Sequence, residues 1–314
     1  LDLLTWQAMP AFMVLALAFN LVLVSNTPSA FAFESVPSVA ELRRRTDFQE
    51  APIESFGLDG TRRVALTFDD GPGAGTEQIL NTLKRYRVRA TFFALGSAMK
   101  KHPDLALRIV REGHVLANHS YSHPMLSKDL YQNEPAQLLA ELKDTHEELR
   151  KYVPNGASLY FRAPYMAWTP GNAIVANQDP ELRPYVGPVC WDVGRSVTVL
   201  DGTLKDAADW ECWTKRMNLS PLQCAVGYSN GIDEIGGGIV LMHDIHPKTA
   251  EMVELLVPRL LKAGYRFVTL DEVRELARYR LGSGATVFQP AVEPTASRPS
   301  GRCLMRPVEK PVNL

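Results

Sequence analysis

Apolar residues occur along this chain in short unbroken runs that alternate with stretches whose apolar positions recur every three or four residues. The runs at 63–68, 90–95, 114–118, 159–162, 186–191, 238–242 and 266–269 read as strands. Helical patterns separate most of them, at 77–86, 97–112, 134–152, 250–263 and 271–279. Strand and helix alternating in this way imply parallel pairing, because parallel neighbours need a crossover long enough to hold a helix. The predicted fold class is therefore α/β, a single domain with about seven parallel strands. In a barrel of such strands the carboxyl ends gather on one face, where side chains from distant parts of the chain meet. A polar stretch at 195–236 reads as an insertion, 33–56 as a lead-in, and 283–314, rich in Pro and Ser, as a disordered tail. No internal repeat is present.

The first strand-like run delivers two adjacent carboxylates, Asp69 and Asp70, into a Gly71-Pro72 turn. Side chains alternate along a strand, so such neighbours serve one site only where the backbone turns, as Gly-Pro makes it do. One carboxylate then suits a metal and the other suits proton transfer. His119 and His123 follow the 114–118 run, four residues apart, a spacing that puts both on one face of a helical turn. Two neutral imidazoles and one carboxylate make a three-ligand site for a divalent metal with a position left open, and Asp70 is the natural third ligand. Taken alone, an Asp pair at a turn is commonly just solvated, and a His-x-x-x-His pair is commonly a surface or core feature. Their combination points to chemistry. Three further clusters, Phe161 to Tyr165, Val189 to Asp192 and Gly238 to Asp244, also set polar residues at strand ends.

These residues resemble the polysaccharide deacetylases of the NodB-homology type, grouped as carbohydrate esterase family four. That family reads Thr-Phe-Asp-Asp-Gly-Pro, His-Ser/Thr-x-x-His, Arg-x-Pro-Tyr, a motif with Trp and Asp, and Leu-x-His-Asp. Here the matching stretches are Thr67 to Pro72, His119 to His123, Arg162 to Tyr165 and Leu241 to Asp244, in that order, within a domain at 57–282. The resemblance implies a distorted (β/α) barrel and a metal-dependent hydrolase that removes acetyl groups from a glycan. It implies Asp69 as general base, Asp70, His119 and His123 as metal ligands, and His243 as general acid. It further implies that Arg162 orients the base, that the backbone N–H of Tyr165 stabilises the oxyanion, and that Leu241 lines the acetyl pocket. The metal expected is one divalent ion, Zn²⁺ first, with Fe²⁺, Co²⁺ and Ni²⁺ compatible with the same ligands.

The fourth motif departs from the family pattern. After Trp191-Asp192 the chain reads Val-Gly-Arg-Ser-Val-Thr198, without the Asp-Trp pair that the family places there. An Asp-x-x-Asp-Trp occurs later, from Asp206 to Trp210. Two readings stay open: Asp209 with Trp210 substitutes for the missing pair, or Asp192 orients His243 and the later residues decorate a helix.

Composition narrows the partners. A chain of 314 residues with 46% hydrophobic content holds one large core, and a formal net charge of −1 offers no electrostatic footprint for nucleic acid. The substrate partner expected is an acetylated polysaccharide or glycan, and no protein partner is inferable. Residues 11–24 are apolar except for Asn20, and Ala30-Phe31-Ala32 follows, which reads as an export signal over 1–32. A periplasmic or extracellular site is thus expected, the alternative being a protein anchored in the membrane by an uncleaved signal. In an oxidising compartment the four cysteines can pair, and Cys212 with Cys224 is the preferred bridge, with Cys190 and Cys303 unassigned. Trp168 and Trp210 are candidates for packing against a sugar face, the core being their other destination. His246 reads as a helix cap, and His102 and His146 as solvated.

The reading expected is an exported N-deacetylase of an envelope amino-sugar glycan, such as a chitin-like oligosaccharide or peptidoglycan. The alternatives are an O-acetyl esterase of the acetylxylan type, and a silent glycan-binding protein. The last would be marked by loss of the base, the ligands or the acid, and Asp69, Asp70, His119, His123 and His243 are all in the chain.

Overall fold

A computed structural model describes residues 58, 60–273 and 276. The expected export signal, the lead-in, the tail after 283 and Cys303 lie outside the described residues. The described elements are β1 (Arg63–Asp69), α1 (Thr76–Tyr86), β2 (Thr91–Ala94), α2 (Gly96–Lys101), α3 (Pro103–Arg111) and β3 (Val115–Asn118). Then follow α4 (Asp129–Asn133), α5 (Pro135–Leu149), β4 (Leu159–Tyr160), α6 (Pro170–Gln178), β5 (Tyr185–Val186), β6 (Thr198–Leu200) and β7 (Thr203–Asp206). The last are α7 (Asp209–Cys212), α8 (Pro221–Ile235), β8 (Gly238–His243), α9 (Pro247–Lys262) and β9 (Arg266–Phe267).

The strands that alternate with helices pair in parallel, and only the β6–β7 hairpin of the described residues is antiparallel. A five-stranded sheet runs β3-β2-β1-β8, with β9 also on β1, and β4 pairs with β5 in a separate parallel pair. Isolated parallel bridges join Asn118 to Phe161 and Val193 to Val240. β1 is buried along nearly its whole length, which is why it reads as an unbroken apolar run rather than an alternating one. Ile79, Leu80 and Leu83 of α1, and Met252, Val253, Leu256, Val257 and Leu260 of α9, join its side chains in the core. Among the described residues no helix is long and apolar enough to cross a membrane.

Several boundaries differ from the sequence pattern. The single helix expected at 97–112 is two, broken at His102 (φ −127°, ψ 60°), because Pro103 excludes the helical conformation from the residue before it. Pro135 does the same to Glu134, separating α4 from α5. The strands expected at 159–162 and 186–191 shrink to the two residues each of β4 and β5.

The 195–236 stretch, which lacks an apolar run, nevertheless builds ordered structure: the antiparallel β6–β7 hairpin, α7 and α8. α8 starts on a capping box between Ser220 and Gln223 with Pro221 in its first turn, and ends at Gly236 in the left-handed region. Gly227 lets it lie against Leu204 and Ala207, since a Cβ there would sit 2.5 Å from the Leu204 side chain. Cys224 of α8 is bridged to Cys212 of α7 with a Cα separation of 6.2 Å. Cys212→Ser is expected to cost about 3 kcal/mol of unfolding free energy, the chain-entropy value for so short a loop. Thermal or urea melts of the oxidised wild type and the variant check it, and coincident curves would remove the bridge from the stability account.

Candidate functional site

Asp69 ends β1 and Asp70 begins the turn. Asp70 adopts φ 76°, left-handed backbone that an Asp tolerates but a typical side chain avoids. This reversal lets neighbouring carboxylates serve one site. Gly71 follows because nothing larger fits: a Cβ there would lie 2.1 Å from the Asp244 carboxylate. In β8, His243 is the register partner of Asp69, so strand pairing sets the two side by side.

Asp70 Oδ1 lies 3.3 Å from His119 Nε2 and 3.2 Å from His123 Nε2. The three donor atoms fall within 4.8 Å of one another. The imidazoles are not on a helical turn, contrary to the spacing argument. The 119–123 segment is a loop in which Ser120 (φ 67°) and His123 (φ 63°) both take left-handed backbone. A carboxylate that the sequence did not suggest shapes this loop: Glu141 of α5 accepts from Tyr121 N (3.0 Å), Ser122 N (2.9 Å) and Ser122 Oγ (2.6 Å). No local signal marks Glu141, since it acts from a helix 20 residues away.

The donor chemistry fits a divalent cation. His119 Nδ1 is 2.8 Å from the Arg162 carbonyl oxygen, which can only accept. In the neutral ring Nδ1 therefore carries the hydrogen, and Nε2 turns its lone pair toward Asp70. Burial lowers the pKa of His123, more than the nearby Asp70 charge raises it, which favours the neutral, ligating ring. Asp70 Oδ1 is itself buried and accepts no hydrogen bond. Lone pairs converging on one point, with a buried oxygen left unsatisfied, form an arrangement that a cation relieves.

Arg162 is fully buried, and all three of its guanidinium nitrogens donate hydrogen bonds. Nη1 donates to Asp69 Oδ1 (2.8 Å) and Thr67 Oγ1 (2.8 Å), Nε to the Val189 carbonyl (2.9 Å), and Nη2 to the Cys190 carbonyl (3.3 Å). Phe93 and Trp191 flank it, with ring centroids 4.1 Å and 5.3 Å from the guanidinium carbon. Asp69 is thus held by a group that has nowhere else to go. Its other oxygen, Oδ2, lies 3.7 Å from His119 Nε2.

His243 meets Asp209 rather than Asp192. Its Nδ1 is 2.8 Å from Asp209 Oδ1, and its backbone N–H donates to Asp209 Oδ2 at 2.7 Å. Asp192 instead accepts from the backbone N–H of Ile239 (2.8 Å), which pins the segment after β5 to β8. The alternative in which Asp192 orients the imidazole is corrected by this geometry. Burial alone would lower the pKa of His243, but the charge and hydrogen bond of Asp209 overcome it and raise it to about 9. Burial likewise pushes Asp209 upward, and His243 more than offsets it, holding the carboxyl below its usual range.

The remaining candidates divide. Tyr165 has φ 56°, is 51% exposed, and packs edge-on to His123 with ring centroids 4.6 Å apart. Leu241 is buried two residues before His243, on the same face of β8. Trp210, beside Asp209, is 48% exposed. Trp168 is 6% exposed and packs on Phe161 at 4.9 Å between centroids, so its ring belongs to the core and is not offered to a sugar. His246 stands at the N-cap of α9 without a side-chain cap bond, so the capping role expected of it is not played. His146 is half-buried rather than solvated, with Nδ1 2.9 Å from the Tyr185 hydroxyl.

A family model described as polysaccharide deacetylase matches residues 58–179. A chitooligosaccharide deacetylase of Bradyrhizobium sp. (strain ANU 289) is 30% identical over 231 residues, which cover 69% of this chain and 92% of that protein. The peptidoglycan-N-acetylmuramic acid deacetylase PdaC of Bacillus subtilis (strain 168) is 30% identical over 243 residues, covering 77% of this chain and 45% of that protein. Among solved structures, a family 4 acetyl xylan esterase from Clostridium thermocellum in complex with a cobalt ion aligns with a TM-score of 0.54 at 27% identity, covering 73% of this chain and 98% of that one. The chain spans less than half the length of the first curated relatives it matches.

Proposed function

Because this chain belongs to the polysaccharide deacetylase family, we propose that it is a metal-dependent hydrolase that removes N-acetyl groups from an amino-sugar glycan of the cell envelope. The observation that carries this reading is the convergence of Asp70, His119 and His123 beside a second carboxylate, Asp69, and an imidazole, His243. The relatives named for peptidoglycan and chitooligosaccharide support the substrate class. The Cys212–Cys224 bridge suits an oxidising compartment outside the cytoplasm. The catalytic domain is taken as 57–282 with its insertion at 195–236, and the two isolated bridges support its description as a distorted barrel.

Asp70, His119 and His123 would hold a divalent cation, which when bound would supply Lewis acidity for the acetyl carbonyl. Asp69, oriented by Arg162, takes the proton from the attacking water. The backbone N–H of Tyr165 serves as oxyanion donor; the turn's own hydrogen bonds run from Met166 N to Ala163 O and from Ala167 N to Pro164 O, leaving it out. His243, held protonated by Asp209, gives its proton to the departing amine nitrogen. Leu241, on the same face of β8 as the acid, suits the wall of an acetyl pocket, and the exposed Trp210 suits a sugar face.

The likeness to an acetyl xylan esterase favours a second reading, O-deacetylation, in which only the leaving atom changes. One experiment separates the readings. Acetate release is measured on chitooligosaccharide, peptidoglycan and acetylxylan after chelation and reconstitution with Zn²⁺, Fe²⁺, Co²⁺ or Ni²⁺ singly. Release from the first two, lost on chelation and restored by a metal, is the expected result. Release from acetylxylan alone would replace the N-acetyl reading. No release with any metal would leave a glycan-binding protein.

A further inference from the structure

The Asp209 that meets His243 sits on α7, a helix of only four residues whose cap residue, Ala208, offers no side-chain bond. So short a helix has no stability of its own, because nucleation costs more than its few hydrogen bonds return. Asp209 is nonetheless fully buried and bonded on every side. Its Oδ1 accepts from Trp210 N (2.8 Å) besides meeting His243 Nδ1, and its Oδ2 accepts from His243 N and from Thr249 Oγ1 (2.8 Å).

Thr249, in the first turn of α9, is buried and has its hydroxyl directed by a second partner. Trp213 Nε1 donates to Thr249 Oγ1 at 3.1 Å, so the hydroxyl hydrogen is left for Asp209. On the other side of α7, the backbone N–H of Asp209 donates to the Tyr228 hydroxyl (2.9 Å), which in turn donates to the Leu241 carbonyl (2.8 Å). Tyr228 lies one helical turn after Cys224 on α8, so the hydroxyl bridge and the disulfide hold α7 from the same face. Two hydroxyls thus fasten Asp209, one at its carboxylate and one at its main chain. Neither belongs to the five motif stretches.

We infer that Thr249 and Tyr228 are positioning residues for the general acid: they lock Asp209 in the orientation that fixes the His243 imidazole. The inference rests on the hydrolase reading for its kinetic consequence, though not for its geometry. Amide hydrolysis needs the acid, since an amine leaves poorly without a proton, whereas 4-nitrophenolate leaves unaided. A residue that acts through His243 should therefore matter for one substrate and not the other.

Thr249→Val keeps the shape and removes the hydroxyl; Thr249→Ser keeps the hydroxyl. Thr249→Val is expected to lower kcat on N-acetyl chitooligosaccharide about tenfold or more, the scale of one hydrogen bond to a charged group. Its 4-nitrophenyl acetate hydrolysis and bound metal should stay close to wild type. Thr249→Ser should restore the N-acetyl rate, and Tyr228→Phe should behave like Thr249→Val. A readout independent of turnover is the Nδ1–H proton resonance of His243 in 15N-labelled protein, assigned by its loss in His243→Gln. It should lie far downfield in wild type and Thr249→Ser and move upfield in Thr249→Val. An unmoved resonance in Thr249→Val overturns the inference, as does a parallel loss of both hydrolyses together with metal. If wild type releases no acetate from chitooligosaccharide or peptidoglycan, the functional reading fails, and the resonance alone decides the role of Thr249.

Discussion

Asp70→Ala is expected to lose the bound cation and turnover together, whereas Asp69→Asn keeps the cation and loses turnover alone. The two carboxylates are neighbours in sequence, but the left-handed turn at Asp70 gives them different company. Asp70 Oδ1 faces two imidazole nitrogens at 3.2 and 3.3 Å and is otherwise unsatisfied, a position suited to a metal ligand. Removing it leaves two imidazoles, too few for the three protein ligands of a catalytic site. Asp69 Oδ1 is instead engaged by Arg162. Asn retains an oxygen for that hydrogen bond and removes the basicity, which should cost about 10²- to 10⁴-fold in kcat. Metal content by elemental analysis and acetate release from the reconstituted variants check both statements. Equal metal content and equal activity in the two variants would abolish the division of roles. Asp69→Asn also leaves the Arg162 charge buried without a counter-charge, a loss of about 3–5 kcal/mol in comparable cases, so its melting curve belongs beside its kinetics.

Asp209→Asn should produce the second large effect, a loss of N-acetyl turnover of about 10²-fold or more together with a downward shift of the alkaline limb of the pH–rate profile. In the folded protein burial pulls the His243 pKa down, and Asp209 reverses this to about 9. Without the Asp209 charge the burial effect prevails, the imidazole deprotonates at lower pH, and the amine loses its proton donor. The bound cation's own charge draws both limbs downward, so the difference between wild type and variant is the quantity to measure. The same shift has a sign for stability. A pKa raised above its unfolded value of about 6.5 contributes stability that is fully present below that pH and is lost as pH rises through about 9. Metal-free wild type should therefore lose stability across this window, and metal-free Asp209→Asn should lose less. Identical slopes in urea melts between these pH values would mean that the pair does not carry the linkage.

Much of the sheet was legible because its signal is local. β1, β2, β3 and β8 are short apolar runs buried on both faces, and such runs stand out without reference to the rest of the chain. The break at Pro103 was missed, because the apolar pattern runs through it and masks the proline effect. α6 and α8 lie outside the predicted helices, yet each begins with a capping box, at Thr169 and Ser220, and a proline in the first turn. Those start signals would have found them. In α8 the buried face carries only a thin apolar stripe, Cys224, Tyr228 and Ile232, and small residues such as Gly227 and Gly231 fill the rest of it, which weakens the helical signal.

The chain's own order of residues determined the parallel strands, the Asp69-Asp70-Gly71-Pro72 turn, and the residue types able to bind a cation and move protons, because each of these depends on neighbours within a few positions. Tertiary structure alone decided that Asp209 and not Asp192 meets His243, that Glu141 shapes the imidazole loop, that Trp168 is core, and that Thr249 and Tyr228 fasten α7. The physical reason is reach: a hydrogen bond acts over about 3 Å, and only the folded sheet brings side chains from α5, α8, α9 and the strand ends within it.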